Sequence, residues 1–135
     1  MRVVDAVHHD GRQRVEDAGA AVRGTCQAGV AGEDAHAGSV ADRQAVESAL
    51  AATQARFGRV HGLVNNAGIF KAADFLDISE SDWDAVMAVN LKGAFLVGQA
   101  VARAMVRDGG GAIVNMSSVN ATLTIPTIAS YNVSK

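Results

Sequence analysis

Two short apolar runs with a long helical pattern between them most constrain the fold of this 135-residue chain. The first run lies in RVHGLVNNAG at 59–68, and the second lies in GGGAIVNMSS at 109–118, ending at Ser117 or Ser118. Both are continuously apolar instead of alternating, as expected for strands covered on both faces. A helical pattern at 79–109 separates them, so we predict a right-handed crossover and a parallel, doubly wound α/β sheet.

Three helical patterns surround or separate these runs. The first covers 39–58, with Asp42 near its N-cap and Gly58 ending it. The last follows Pro126 and carries a tyrosine and a lysine. The central helix is expected to bear one apolar stripe, on or near Trp83, Met87, Asn90, Leu91, Ala94, Phe95, Val101 and Met105.

The stretch before Ser39 carries the weakest pattern. RVVDAV at 2–7 predicts a short strand ending near Asp5, and RQRVEDAGAAVR at 12–23 predicts a helix. GTCQAGVAGEDAHAG at 24–38 has no clear period, and it is predicted to be either a loop or a segment whose structure depends on missing neighbours. Its glycines are not spaced like a phosphate-binding turn, so we do not assign phosphate binding to it.

Composition argues against several classes of function. The formal net charge is −2 with both signs scattered, which disfavours nucleic acid or a membrane surface as partner. The single cysteine, Cys26, fits a reducing, cytoplasmic setting. No apolar run approaches the roughly 18 residues of a membrane span, and the N-terminus lacks the apolar core of a secretory signal. No metal is expected, because metal-ligand spacing is lacking in the four histidines, His8, His9, His36 and His61.

Polar residues follow both predicted strands. Asn65 and Asn66 follow the first, and Ser117 and Ser118 end the second. In a doubly wound sheet the carboxyl ends of the strands form the ligand crevice, so these residues are candidates for one shared site. Ordinary turn chemistry is the alternative for each of them taken singly.

Three more polar residues lie on helical patterns. Asn90 interrupts the apolar stripe, where it either bonds to a neighbouring backbone or serves a site with an ordered water. Tyr131 and Lys135 are spaced i, i+4 and share a helix face. An ammonium beside a phenol favours the phenolate, which suits a general acid and base, although this spacing is also common in surface pairs.

Together these motifs resemble the short-chain dehydrogenase/reductase family in its non-extended form. They are VNNAG at 64–68, Asn90, Ser118 and YNVSK at 131–135, with thirteen residues from Ser118 to the tyrosine. The resemblance covers about 37–135. It implies one partial Rossmann-like NAD(P)-binding domain over 1–135, truncated at both ends, well matched over 39–135 and poorly matched over 1–38.

The resemblance implies a catalytic role for four residues. Tyr131 would be the general acid or base at the substrate oxygen, and Ser118 would hydrogen-bond and orient that oxygen. Lys135 would assist the tyrosine and bind the ribose of the nicotinamide. Asn90 would hold a water that continues a proton relay from Lys135 to solvent.

The resemblance also implies cofactor contacts, with NAD or NADP as the cofactor. The segment expected to line the adenine-side ribose and stabilise the sheet is Asn65, Asn66, Ala67 and Gly68. Ser39 and Val40 stand where the family has an Asp-Val pair against the adenine, so the aspartate contact is lost while Val40 can still pack on the ring. Tyr131 and Lys135 would complete the cofactor site.

One family feature is missing from this sequence. No Thr-Gly-x-x-x-Gly-x-Gly turn occurs in it, although that turn receives the pyrophosphate in the family. If RVVDAV is the family's second strand, Asp5 would be the acidic residue on the adenosine ribose.

Three functions stay open at this stage. The first is an NAD(P)-dependent oxidoreductase, an alcohol dehydrogenase or ketoreductase, that interconverts a secondary alcohol and a ketone. The second is a catalytically inactive fragment of such an enzyme, lacking the glycine-rich phosphate-binding turn. The third is an extended-branch sugar-nucleotide epimerase or dehydratase, against which NNAG and Asn90 speak.

The sequence and the resemblance also give expectations for the substrate and for the assembly state. NATLTIPTIA at 120–129 would border the substrate, and its apolar character favours an apolar or cyclic alcohol or ketone over a charged sugar. The resemblance implies a homotetramer or homodimer for the longer protein.

Overall fold

The computed structural model describes residues 3–7, 25–27 and 35–135. Its strands are β1 (Val3–Val7), β2 (Thr25–Gln27), β3 (Ala35–Ala37), β4 (Gly62–Asn65) and β5 (Ala112–Asn115). Its α-helices are α1 (Arg43–Phe57), α2 (Glu80–Met87), α3 (Ala94–Arg107) and α4 (Ala129–Ser134). A π-helical turn, Ala88–Gly93, joins α2 to α3. Short 3₁₀ turns lie at Phe75–Asp77, Val119–Ala121 and Pro126–Ile128.

The five strands form one sheet in the order β3-β2-β1-β4-β5. β4 pairs in parallel with both β1 and β5, and the helical crossover between β4 and β5 is the predicted one. β2 and β3 pair antiparallel at the other side of the sheet. The doubly wound α/β class is therefore confirmed for the parallel part. Of the two alternatives for 24–38, the loop is wrong at β2 and β3. The helix predicted at 12–23 lies outside the described residues.

β1 lies beside β4, in the centre of the sheet. In the doubly wound order 3-2-1-4-5-6 this is the place of the first strand, not the second. Asp5 pairs with Val64 inside the strand, and β1 continues to Val7. The conditional assignment of RVVDAV as second strand, with Asp5 at its end, is therefore wrong in this structure.

The helix ends follow the sequence signals. The Asp42 carboxylate accepts a hydrogen bond from the Gln44 backbone N–H at 2.9 Å and caps α1. Gly58 ends α1 with φ at 75°, a left-handed conformation that glycine adopts without a Cβ penalty. Ser79 caps α2 by accepting from the Asp82 N–H at 3.1 Å.

The core lies between the sheet and the helices α1 and α3. It consists of the buried residues Val40, Val46, Val60, Leu63, Val89, Val97, Val101 and Met105. A Cβ added at Gly93 would lie 2.7 Å from a Val40 methyl carbon, so the π-helical turn approaches this core through a glycine. Two positions of the predicted stripe, Leu91 and Phe95, are exposed instead. The long helix is apolar around much of its circumference, and composition alone did not select the face that packs.

β5 departs from the expectation that both strands are covered on both faces. All four of its residues are exposed, whereas β4 alternates half-buried and buried positions. The strand ends at Asn115, although the Met116 N–H still donates to the Asn65 carbonyl. β5 therefore forms the edge of the described sheet next to the more protected β4.

The stretch Glu80–Arg107 is long and apolar enough, by length and composition alone, to cross a membrane. The expectation that no run approaches a span is corrected here, because the π-helical turn joins α2 and α3 into one 28-residue helix. A core helix meets the same criteria, and Val97 and Val101 of this helix are buried in the core.

Candidate active site

The carboxyl ends of β4 and β5 meet beside α3. Asn65 ends β4 and Asn115 ends β5, directly opposite each other in the register. The Asn65 side-chain amide donates to the Ala94 carbonyl at 2.8 Å and to Asn115 Oδ1 at 3.2 Å. Asn65 therefore joins the two strand ends to the start of α3, and this buried amide supports the edge of the sheet where a ligand is expected.

Asn90 clamps the backbone that follows the NNAG motif. Its Oδ1 accepts from the Ile69 N–H at 2.8 Å, and its Nδ2 donates to the Ile69 carbonyl at 2.9 Å. The same Nδ2 donates to Ser134 Oγ at 2.8 Å, and Ser134 Oγ donates to the Tyr131 carbonyl at 2.8 Å. Asn90 lies in a π-helical turn, a feature often found at functional sites. One buried amide thus couples the Ile69 loop to α4.

Lys135 is held at the end of β5. Its Nζ donates to the Met116 carbonyl at 3.4 Å, and Ser117 Oγ donates to the Lys135 carbonyl at 3.2 Å. A Cβ built on Gly68 would lie 3.3 Å from Lys135 Nζ and 3.5 Å from Asn90 Oδ1. The absence of a side chain at Gly68 therefore lets the Lys135 ammonium lie close to the backbone there.

Tyr131 stands between a cation and an aromatic ring. The Lys135 Nζ lies 5.6 Å from the Tyr131 ring centroid, within the range of a cation–π contact. The Phe70 ring meets Tyr131 edge-on, with centroids 6.4 Å apart and ring planes at 77°. The Tyr131 hydroxyl makes no hydrogen bond to any residue that the structure describes.

Ser118 begins the loop that leads from β5 to α4. Its Oγ accepts from the Asn120 N–H at 3.2 Å and so caps the turn Val119–Ala121. Within the described part of the chain no hydrogen bond joins Ser118 to Tyr131. The Ser118 hydroxyl hydrogen is not used by the cap, because an N–H donor occupies only an acceptor position of the oxygen.

The residues predicted on the adenine side are divided between two places, because Gly68 lies against Lys135 and Asn90 whereas Ser39 and Val40 lie just before α1. Ser39 Oγ accepts from the Ala41 N–H at 3.2 Å, and Val40 is 1% exposed in the core beneath Gly93. Burial leaves the Val40 side chain little surface for an adenine ring. Of the NNAG residues after the strand, Asn66 is half-buried and Ala67 packs against the core.

A nicotinamide cofactor fits only part of this arrangement. The Lys135 ammonium beside Gly68 suits a ribose, whose hydroxyls accept hydrogen bonds from a cation. The pyrophosphate end has no matching turn, because the sequence contains no Thr-Gly-x-x-x-Gly-x-Gly. Among residues 3–7, 25–27 and 35–135, no group of three or more His, Cys, Asp or Glu side chains is placed to hold a metal ion.

Three further residues of the site were not selected from the sequence. Ile69 and Phe70 follow NNAG directly, and Ser134 lies inside YNVSK. Ile69 acts through its backbone, which no side-chain pattern reveals. An aromatic residue two positions after the glycine of the NNAG motif was the available signal for Phe70.

Comparison with known proteins decides the family. The family model described as short chain dehydrogenase matches residues 11–135 of this chain. This chain belongs to the short-chain dehydrogenase family. The match begins upstream of the 39–135 segment that carries the recognised motifs, so the family signal reaches into the first 38 residues as well.

The relatives of this short-chain dehydrogenase include enzymes of polyol and sugar-acid chemistry. D-threitol dehydrogenase of Mycolicibacterium smegmatis is 46% identical over 96 residues, which cover 71% of this chain and 37% of that protein. Gluconate 5-dehydrogenase of Gluconobacter oxydans is 44% identical over 96 residues, covering 71% of this chain and 38% of that protein.

Among solved structures, a gluconate 5-dehydrogenase from Burkholderia cenocepacia, in complex with NADP and tartrate, has a TM-score of 0.68 and 45% identity. The alignment covers 73% of this chain and 38% of that one. Levodione reductase matches with a TM-score of 0.66 and 35% identity, over 70% of this chain and 37% of that one. The chain therefore spans a little over a third of the length of these relatives.

Proposed function

We propose that this chain carries the proton-handling part of an NAD(P)-dependent oxidoreductase that interconverts a secondary alcohol and a ketone. The residues assigned to the reaction are Ser118, Tyr131 and Lys135, with Asn90 as the fourth member of the relay. Membership of the short-chain dehydrogenase family and the NADP-bound relative support this assignment.

One observation carries the proposal. The Lys135 ammonium lies beside the Tyr131 ring and beside Gly68, which has no side chain to fill that space. Met116 and Ser117 bond to Lys135 directly, and Asn90 bonds to the preceding residue, Ser134. A surface pair of tyrosine and lysine would not need a glycine opposite the ammonium or a buried asparagine behind it.

The bound nicotinamide would supply or accept the hydride. The work left to the protein is to move one proton at the substrate oxygen. In reduction the Tyr131 hydroxyl donates that proton to the carbonyl oxygen, and in oxidation Tyr131 takes the proton from the alcohol. The Ser118 hydroxyl hydrogen would orient the same oxygen, and the Lys135 ammonium would bind the ribose hydroxyls of the nicotinamide.

Asn90 has a structural task beside its proposed place in the relay. Its amide fixes Ile69 and Ser134, so it positions Gly68 and Lys135 relative to each other. Asn90 Oδ1 accepts one hydrogen bond and has capacity for a second on the side of Gly68. A relay water at that oxygen remains part of the proposal.

The proposal extends to the cofactor's adenine side and to the longer protein. Ser39 and residues 65–67 would meet the adenosine half, with Val40 supporting them from the core, whereas Gly68 lies beside Lys135. The longer protein would be a cytoplasmic homotetramer or homodimer, without nucleic acid or membrane partners. Exposed apolar residues on the helices support self-association, and they are Leu91, Phe95, Val106 and Val133.

A second candidate is a catalytically inactive fragment of such an enzyme. β1 occupies the place of the first strand of the doubly wound order, and the sequence after it is HHDGRQR instead of a glycine-rich turn. This observation favours a chain that keeps the proton-handling residues without holding the cofactor.

Turnover distinguishes the two candidates. The full 135-residue chain is mixed with NADPH or NADH and a cyclic ketone, and the absorbance of the reduced cofactor is followed. We expect slow oxidation of the cofactor that is lost in Tyr131→Phe, which keeps the ring and removes only the hydroxyl. Ser118→Ala should lower the rate, and the exposed Ser48→Ala on α1 serves as the matched control that should not. A rate equal in Tyr131→Phe, or no rate above background, contradicts the first candidate.

A further inference from the structure

We propose that Phe70 forms the wall of the site that faces the substrate, and that it selects a ketone or alcohol with an apolar ring beside the reacting carbon. This inference rests on the proposed role of Tyr131 and deepens it by naming the substrate class. Phe70 is 60% exposed, yet its ring is in edge-on contact with Tyr131. A phenylalanine with this much exposed surface is not part of the hydrophobic core. The residue that its ring contacts is Tyr131, the proposed general acid and base.

The backbone around Phe70 is held on both sides. The preceding residue, Ile69, has both its N–H and its carbonyl bonded to the Asn90 amide. Three residues after Phe70, the Ala73 N–H donates to the Thr127 carbonyl at 2.9 Å, which ties this loop to the turn before α4. Hydrogen bonds on both sides of Phe70 therefore hold the backbone that carries its ring.

The charged residue next to Phe70 has a partner on another element. Lys71 follows directly in sequence, and its ammonium pairs with Asp82 on α2 at 3.5 Å. The loop between Ser118 and Tyr131 exposes Leu123 and Ile125. The Asn132 side chain donates to the Ile125 carbonyl at 2.8 Å, so this apolar loop is fastened to the residue beside Tyr131.

The substrate class follows from where the reacting oxygen would bind. A carbonyl oxygen about 2.7 Å from the Tyr131 hydroxyl places the substituents of its carbon alongside the ring that Phe70 touches. An aromatic or cyclic substituent would stack on or against the exposed Phe70 ring. A polyol would lose water there without gaining a hydrogen bond, because a phenyl ring offers it no donor or acceptor.

The test uses Tyr131 as its own reporter, because it is the only tyrosine in the chain. The 135-residue chain is prepared with carbon-13 in the tyrosine ring and is titrated with acetophenone and, separately, with D-threitol. We expect a saturable shift of the Tyr131 ring signals with acetophenone and none at the same concentrations of D-threitol. In Phe70→Ala the acetophenone affinity should fall about tenfold, while Phe70→Leu should keep most of it.

Two comparisons make the result decisive. Phe95→Ala removes an equally exposed phenylalanine from α3 and should leave the acetophenone affinity unchanged. The proposal is overturned if D-threitol shifts Tyr131 as strongly, if Phe70→Ala binds acetophenone as well as the unmodified chain, or if neither ligand shifts Tyr131. No cofactor is present in this titration. Failure of hydride transfer with the acetophenone shift retained would therefore refute the proposed activity and not the role of Phe70.

Discussion

β4 and β5 are neighbours with nearly the same sequence, GLVN and AIVN, and each ends in an asparagine that faces the other. Their surroundings differ. β4 lies between β1 and β5 and has Leu63 and Asn65 buried, whereas every residue of β5 is exposed. The burial of a strand therefore depends on the elements that pack around it, and these cannot be predicted from the sequence of the strand alone.

The two strand ends also divide the work of the site. The β4 end supplies the structural amide of Asn65 and then Gly68, which leaves room for Lys135. The β5 end supplies the Met116 carbonyl that holds Lys135 and then Ser118. The residues after the buried strand β4 thus support the backbone of the site, while the residues after the exposed strand β5 hold Lys135 and include Ser118, which we propose to contact the substrate.

The largest expected difference between the strands concerns two residues directly opposite in register, Leu63 and Ile113. Leu63 is 1% exposed and Ile113 is 38% exposed. We expect Leu63→Ala to lower the opening free energy of the β4 amides by about 3 kcal/mol, and Ile113→Ala to lower it by about 1 kcal/mol or less. Amide hydrogen exchange measures both without assuming a single unfolding step. Equal losses would show that β5 is as well covered as β4.

A smaller difference is expected between the two asparagines. Asn65→Ala removes hydrogen bonds to the Ala94 carbonyl and to Asn115, and we expect a cost of about 2 kcal/mol. Asn115→Ala leaves the Ala94 bond of Asn65 intact and should cost under about 1 kcal/mol. The shift of the urea midpoint, followed by Trp83 fluorescence, gives the ranking. A larger loss in Asn115→Ala would contradict the assignment of Asn65 as the structural member of the pair.

The smallest effect is expected at Gly68, where an added methyl group would meet the flexible end of Lys135 and not backbone. Gly68→Ala should weaken NADPH binding about threefold, on the order of 0.7 kcal/mol, with little change in stability. Gly98→Ala is the control, because its Cβ would meet only Asn65 Nδ2 at an ordinary 3.6 Å. The two variants are compared by NADPH titration. An equal effect in both would remove the special role of Gly68.

Much of this fold and site follows from the sequence. Regular periodicity and capping residues predicted α1, the long helix, β4 and α4. The spacing of Tyr131 and Lys135 predicted that their side chains meet, and they do, although Lys135 is the C-cap residue that follows α4. β2 and β3 were not predicted, because a stretch of glycine and alanine has no hydrophobic period and forms strands only through its partners. The Asn90 clamp was one of two open alternatives, since a sequence cannot say which backbone a buried amide will meet.

The central claim is that Lys135 and its surroundings bind the nicotinamide end of the cofactor. The most direct measurement is a fluorescence titration of the 135-residue chain with NADPH and NADH, repeated with Lys135→Met. As a control, Lys92→Met removes an exposed ammonium from the π-helical turn. We predict saturable binding to the unmodified chain, about tenfold weaker binding in Lys135→Met because a charged hydrogen bond is lost, and no change in Lys92→Met. Absence of saturable binding, or equal binding by Lys135→Met, would contradict the claim.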